Sequence, residues 1–191
     1  MNPSKTEPTR KPSLGEHLIL LLVAAIALSI DQISKRLVES NIAPGFTFVP
    51  IQAISPYFTL TNSQNTGAAF SIFRNGNAFF IVIAIIVSLL IIYYTPRLQA
   101  GDWVSRLALG LQLAGALGNL VDRLRQGYVT DFLHLQIPQI NFDWPVSNVA
   151  DICIVSGVIL LIVITFWRER QEVKPDSHDV HSNLGQEDLK A

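Results

Sequence analysis

Four apolar stretches, roughly residues 18–34, 78–95, 104–121 and 152–167, constrain this chain more than any other feature. Each is near the length that an α-helix needs to cross the hydrocarbon of a bilayer. Inside lipid a backbone must pair its own polar groups, so four helices are expected. Composition agrees: 49% of residues are hydrophobic and 15% charged, a balance that a water-soluble chain of 191 residues could hardly carry on its surface. The first stretch, preceded by Arg10 and Lys11, also has the length and flanks of a secretory signal. It lacks a well-placed Ala-x-Ala-like cleavage site, and three more spans follow, so an uncleaved first helix is expected. The net charge of -1 provides no basic field for nucleic acid, which is excluded as a partner.

Charge at the ends of the spans sets an expected orientation. Lys5, Arg10, Lys11, Arg97, Arg106, Arg168, Arg170 and Lys174 flank one side, whereas Lys35, Arg36, Arg74, Arg123 and Arg125 flank the other. The larger group is expected in the cytoplasm, together with both termini. Asp31, Gln32, Lys35, Asn119, Asp122, Arg123, Asn148 and Asp151 then converge on the outer face. The long loops, 38–77 and 125–149, lie there too. The runs Phe46–Val49, Tyr57–Thr61 and Tyr128–Leu135 alternate or are rich in β-formers, so a small sheet on the membrane surface is expected. Residues 1–16 form a polar N-terminal segment, 17–168 a membrane domain, and 169–191 a polar, disordered cytoplasmic tail.

An ionisable group at a membrane helix needs a partner or a task. Asp31 and Lys35 have the four-residue spacing of a helical ion pair, and Asp31, near the expected end of its helix, calls for something else to hold it. Arg123 and Arg125 are well placed to offset Asp122. Asn119 and Arg123 project from one helical face, either as solvated end groups or as donors to a substrate backbone. Gly110, Ala114 and Gly118 form a stripe for close helix packing. Asn148 is a candidate N-cap, and Asp151 falls in the first turn that follows it. Asp131 interrupts an apolar strand, either as an edge acid facing water or as a functional group. Two aspartates at the ends of one loop can share a proton, one acting on water and the other on a carbonyl oxygen. The lone Cys153 reads as a small buried hydrophobe, and His17, His134, His178 and His181 are too scattered for a metal site.

Asp31-Gln32-x-x-Lys35, Asn65-Thr66-Gly67-Ala68-Ala69-Phe70, Gly118-Asn119-x-x-Asp122-Arg123, Gly127-x-Val129-x-Asp131-Phe132 and Asn148-x-Ala150-Asp151 resemble, in order and spacing, the lipoprotein signal peptidases, or signal peptidase II. The resemblance covers residues 18–167. It implies a mainly α membrane protein with four transmembrane helices, a small extracytoplasmic β-sheet cradle and both termini cytoplasmic, in the bacterial inner membrane. It also implies an aspartyl endopeptidase that cuts prolipoproteins before a diacylglyceryl-modified cysteine. The dyad maps onto Asp131 and Asp151; Asn65, Asn119, Arg123 and Asn148 bind substrate or shape the site; Asp31, Lys35, Gly67 and Asp122 support it. The implied partners are lipidated prolipoproteins and membrane lipid, the chain acting as a monomer without metal or cofactor. Turnover is therefore expected to survive excess EDTA. Loss of activity that one divalent ion restores would replace the carboxylate mechanism.

Overall fold

The computed structural model describes residues 13–67 and 76–172. Of the expected N-terminal segment 1–16, residues 14–16 are helical, and of the expected disordered tail 169–191, residues 169–172 are helical; residues 1–12 and 173–191, with Ala68-Ala69-Phe70 of the second motif and Arg74, lie outside the described residues. Four helices, α1 (Leu14–Asn41), α2 (Gly76–Tyr94), α3 (Trp103–Gln126) and α4 (Val149–Glu172), are each long and apolar enough to cross a membrane. Strands β1 (Thr47–Phe48), β2 (Phe58–Asn65), β3 (Val129–Ile137) and β4 (Phe142–Ser147) form one antiparallel sheet in sequential order. The first two come from the α1–α2 connection and the last two from the α3–α4 connection, so the sheet closes one end of the bundle.

Helix α3 is the hub, packed against each of the other three helices and the most buried of the four. Its small residues make this possible. A Cβ on Gly110 would meet Leu20 O of α1 at 2.9 Å, and one on Gly118 would meet Asp31 Oδ2 at 2.5 Å. Gly115 gives the same close approach to α4 at Ala150. The outward faces of the thinner-packed helices carry exposed Leu22, Ile26, Val82, Ile86, Leu90, Val155, Ile159 and Phe166, which water would not tolerate as a continuous belt. Exposed Tyr93, Tyr94, Trp103 and Trp167 ring the end away from the sheet, where an interfacial girdle is suited.

That far end is locked by polar contacts. Glu16 of α1 accepts the Gly101 N–H at 3.0 Å, and Arg168 of α4 pairs with Asp102, the N-cap of α3, at 2.6 Å. The start of α1 and the end of α4 therefore lie together. Arg106, counted in the sequence as a flanking charge, is completely buried there and donates to the carbonyls of Gln99 and Asp102.

Helix α1 runs on to Asn41, past the expected limit at residue 34, which places Asp31 inside the helix. The helix dipole is thus a smaller problem for Asp31 than its burial. Lys35 Nζ lies 2.9 Å from Asp31 Oδ2 and 2.9 Å from Asp122 Oδ2, with all three side chains at most 1% exposed. The remaining acceptor positions are filled by backbone: Ala150 N donates to Asp31 Oδ1 at 2.8 Å and Thr130 N to Asp122 Oδ2 at 3.2 Å. Gln32 Nε2 bridges both carboxylates. The cluster ties α1, α3, β3 and α4 together.

Arg123 and Arg125 both interact with the charge of Asp122, as expected, but the direct ion pair is with Lys35. Successive helical residues point about 100° apart, so Asp122 faces α1 and Lys35. Arg125 pairs with Glu39 at 2.7 Å, and Arg123 lies over the Phe80 ring of α2, 4.8 Å from its centroid. Lys35→Met, which strands two buried carboxylates, is expected to cost about 3–5 kcal/mol. Arg125→Met breaks a more exposed pair and should cost less than about 1 kcal/mol. Unfolding midpoints in detergent measure both, and equal midpoints for the two variants would contradict this ranking.

Candidate active site

The chain delivers two carboxylates to the junction of sheet and bundle by different routes. Helix α3 ends at Gly127, whose φ of 83° is the left-handed conformation favoured at a helix C′ position, with its N–H bonded to Arg123 O. β3 begins two residues later and pairs with β2 so that Asp131 lies opposite Ser63 and Val129 opposite Asn65. The β3–β4 hairpin then returns the chain, Leu133 opposite Ser147, straight into Asn148 and α4. Asn148 caps that helix as expected, its Oδ1 accepting the Asp151 N–H at 2.9 Å. Asp131 is not an edge acid: it is 3% exposed.

Three asparagine amides hold the pair, and each can point only one way. Asn148 Oδ1 is occupied by the Asp151 N–H, so its Nδ2 turns to Asp131 Oδ1 at 2.5 Å. Asn65 Oδ1 accepts the Gly67 N–H at 2.9 Å, so its Nδ2 donates to Asp131 Oδ2 at 2.9 Å. Asn119 Oδ1 accepts from Lys35 Nζ at 3.1 Å, and its Nδ2 donates to Asp151 Oδ1 at 2.8 Å. A lysine ammonium or a backbone N–H can only donate, which fixes the amide orientation in all three. Gly67 serves twice: it has φ 76°, and a Cβ there would collide with the Phe80 ring that carries Arg123.

Beside Asp151 opens a cavity of about 350 Å³ between α2, α3 and α4. Asn119, Arg123 and Asp151 form its polar rim, and Phe80, Ile83, Val87, Ala116 and Ile154 its apolar wall. Burial pushes the Asp131 carboxyl up to about 6; the negative charge of Asp151 adds to the rise, while the bonds from Asn65 and Asn148 and the charge of Lys35 oppose it. A carboxyl group near neutrality beside a second carboxylate can hold a proton while its neighbour attracts one from water.

The structure brings every expected site residue to this junction. It adds one that the sequence reading passed over, Glu39, which accepts from Thr130 Oγ1 at 2.6 Å and from Arg125, bracing β3 against α1. The signal was available: Asp31, Lys35 and Glu39 repeat every four residues on one face of α1. Cys153 is buried beside Ala27 and Ala114, and His134 pairs with Asp143 on the sheet, apart from the carboxylates.

Two aspartates with fixed amide donors, beside an apolar cavity in a bundle of four membrane-length helices, suit a membrane aspartic peptidase. The profile of the family described as Signal peptidase (SPase) II matches residues 23–167. The chain is 43% identical to a lipoprotein signal peptidase of Moorella thermoacetica over 141 residues, 74% of this chain and 88% of that one. It is 37% identical to a lipoprotein signal peptidase of Symbiobacterium thermophilum over 154 residues, 81% of this chain and 98% of that one. A solved bacterial membrane enzyme, determined in meso at 2.3 Å resolution, superposes with a TM-score of 0.72 at 29% identity, covering 90% of this chain and 99% of that one. This chain belongs to the signal peptidase II family and is an aspartic peptidase.

The alkaline limb of kcat/KM reports loss of the proton held by the free enzyme's carboxyl pair. For a catalytic Asp131 it is expected to begin near pH 6, the value to which burial pushes that carboxyl up. The Asn65 bond favours ionised Asp131, so Asn65→Ala should raise that value and move the limb to higher pH. A pH–rate profile of the residual activity checks the sign, and a shift to lower pH would contradict it.

Proposed function

We propose that Asp131 and Asp151 are the catalytic pair with which this peptidase removes signal peptides from prolipoproteins, cutting before a diacylglyceryl-modified cysteine. The observation that carries the assignment is the convergence of three orientation-locked amides on these two carboxylates, at the rim of an apolar cavity in a bundle that spans the membrane. Asp131, buried and raised toward neutrality, holds the shared proton, and Asp151 is the base. Water between them attacks the scissile carbonyl carbon as Asp151 takes its proton and Asp131 protonates the carbonyl oxygen. Collapse of the tetrahedral species then breaks the C–N bond, with the proton on Asp151 passing to the leaving amine and one hydroxyl proton of the species returning to Asp131.

Arg123, held over Phe80, and Asn119 line the rim where the substrate main chain would lie. Asn65 and Asn148 shape the site, and Asp31, Lys35, Asp122 and Gly67 support it. The working unit spans residues 17–168 and acts as a monomer in the bacterial inner membrane. The α1–α2 and α3–α4 connections, with the sheet they carry, face outward, and both termini lie in the cytoplasm. Exposed Phe46, Phe48, Phe142 and Trp144 on the sheet suit contact with the outer lipid headgroups, at the depth of a lipidated cysteine.

Asp131→Asn and Asp151→Asn are each expected to abolish cleavage of a lipidated peptide in folded protein that still binds it, and the double variant should be little worse than either. Asp122→Asn should instead lower stability while leaving measurable turnover. Near-normal turnover by either dyad variant removes that residue from the pair. At matched membrane concentration, an unlipidated peptide should be cut more slowly than its diacylated form, since anchoring and groove filling both act through buried methylenes. Equal rates would reject the lipid requirement.

A further inference from the structure

The cavity continues well below the carboxylates. Gln112, Ala116, Asn119 and Arg123 all line it, and their spacing of four, three and four residues places them along one face of α3. Gln112 is seven residues below Asn119, about 10 Å deeper along the axis at 1.5 Å per residue. At that level α4 presents Gly157, where a Cβ would meet Gln112 Cγ at 2.7 Å, so the glycine leaves the room that the glutamine stem occupies. Gln112 Nε2 is buried and has no hydrogen-bond partner among the described residues. The cavity wall there is Ile83, Ala84, Val87 and Ile154, which offer no side-chain acceptor. A leucine would fill the same space without burying an unpaired amide.

We infer that Gln112 is a substrate-binding residue that hydrogen-bonds the main chain of the signal peptide about three residues before the scissile bond. The inference rests on the peptidase reading above. A scissile peptide must leave its helix to expose its carbonyl to water, and the residues just before it then lose their helical partners in an apolar surrounding, where unpaired main-chain groups are costly. The signal peptide reaches the outer face from the cytoplasmic side, so the residues preceding the cut lie deeper than the dyad. An extended chain advances about 3.3 Å per residue, so 10 Å corresponds to about three residues. A primary amide carries both a donor and an acceptor, which matches one peptide unit.

The test combines Gln112→Leu and Gln112→Met with a lipidated peptide and its analogues, in which the second, third or fourth amide before the cut is replaced by an ester, weakening that carbonyl as an acceptor. A bond made equally in ground and transition states gives a KM raised about three- to tenfold with kcat retained. That penalty should shrink toward one on a single ester analogue, the third being expected. Both variants should unfold in detergent at the wild-type temperature or above it, because in the free enzyme they remove an unpaired buried group. Unchanged KM, a fall confined to kcat, or lowered unfolding temperatures in both variants would overturn the assignment. So would a KM penalty of equal size on every ester analogue, which would direct the bond to the acyl-glyceryl esters instead. Failure of the wild-type enzyme to cleave the all-amide lipidated peptide would instead overturn the peptidase reading.

Discussion

The buried ammonium of Lys35 is the constraint on which the rest of the site depends. Bound between Asp31 and Asp122 with no exposure to water, it can be charged only because two carboxylates accept from it, and they in turn only because backbone donors fill their remaining positions. Those donors are Ala150 at the start of α4 and Thr130 on β3. The cluster therefore forms only when two helices, a helix start and a strand have reached one register. Buried ion networks are weak sources of net stability, since desolvation offsets most of the attraction. Their use here is specification: the same ammonium that joins the elements also fixes Asn119, and through it Asp151.

A second consequence follows from donor and acceptor arithmetic. A free asparagine can flip its amide, offering either oxygen or nitrogen to a carboxylate. At Asn65, Asn119 and Asn148 the flip is forbidden by a group that can only donate. Removing Lys35 would thus do more than expose a charge: it would free Asn119 to turn its oxygen toward Asp151 and oppose the anion there. Under the mechanism proposed above, support and catalysis are linked by a single side-chain rotation, so charge variants at Lys35 should disturb activity even where the fold survives.

The four spans, the convergence of polar groups on one face and the capping role of Asn148 were legible in the sequence because each rests on local periodicity or local chemistry. The small-residue stripe on α3 was legible too, although its meaning was incomplete: Gly118 admits Asp31 as well as a neighbouring helix. The partner of Asp122 was not legible. Sequence proximity favoured Arg123 and Arg125, but the direction in which each residue leaves the helix decided for Lys35, across 87 positions of chain. The length of α1 was likewise missed, since its last turns carry Arg36, Glu39 and Ser40 and fall below any hydropathy threshold while still packing against β3. Burial of Asp131 depends on strand register with β2, which no pattern within β3 alone could reveal.

The two aspartates differ in their surroundings. Asp131 is enclosed by β2, β3 and the cap of α4, and its ionised form must be held by amide dipoles against the cost of burial. Asp151 lies in the first turn of α4, at the positive end of that helix, and opens on the cavity beside Arg123. Asp151 thus lines the cavity, whereas Asp131 is buried among the amides that hold it. Under the mechanism proposed above, the base then faces the space that would admit the peptide, and the acid is braced by a sheet that belongs to neither wall of the cavity.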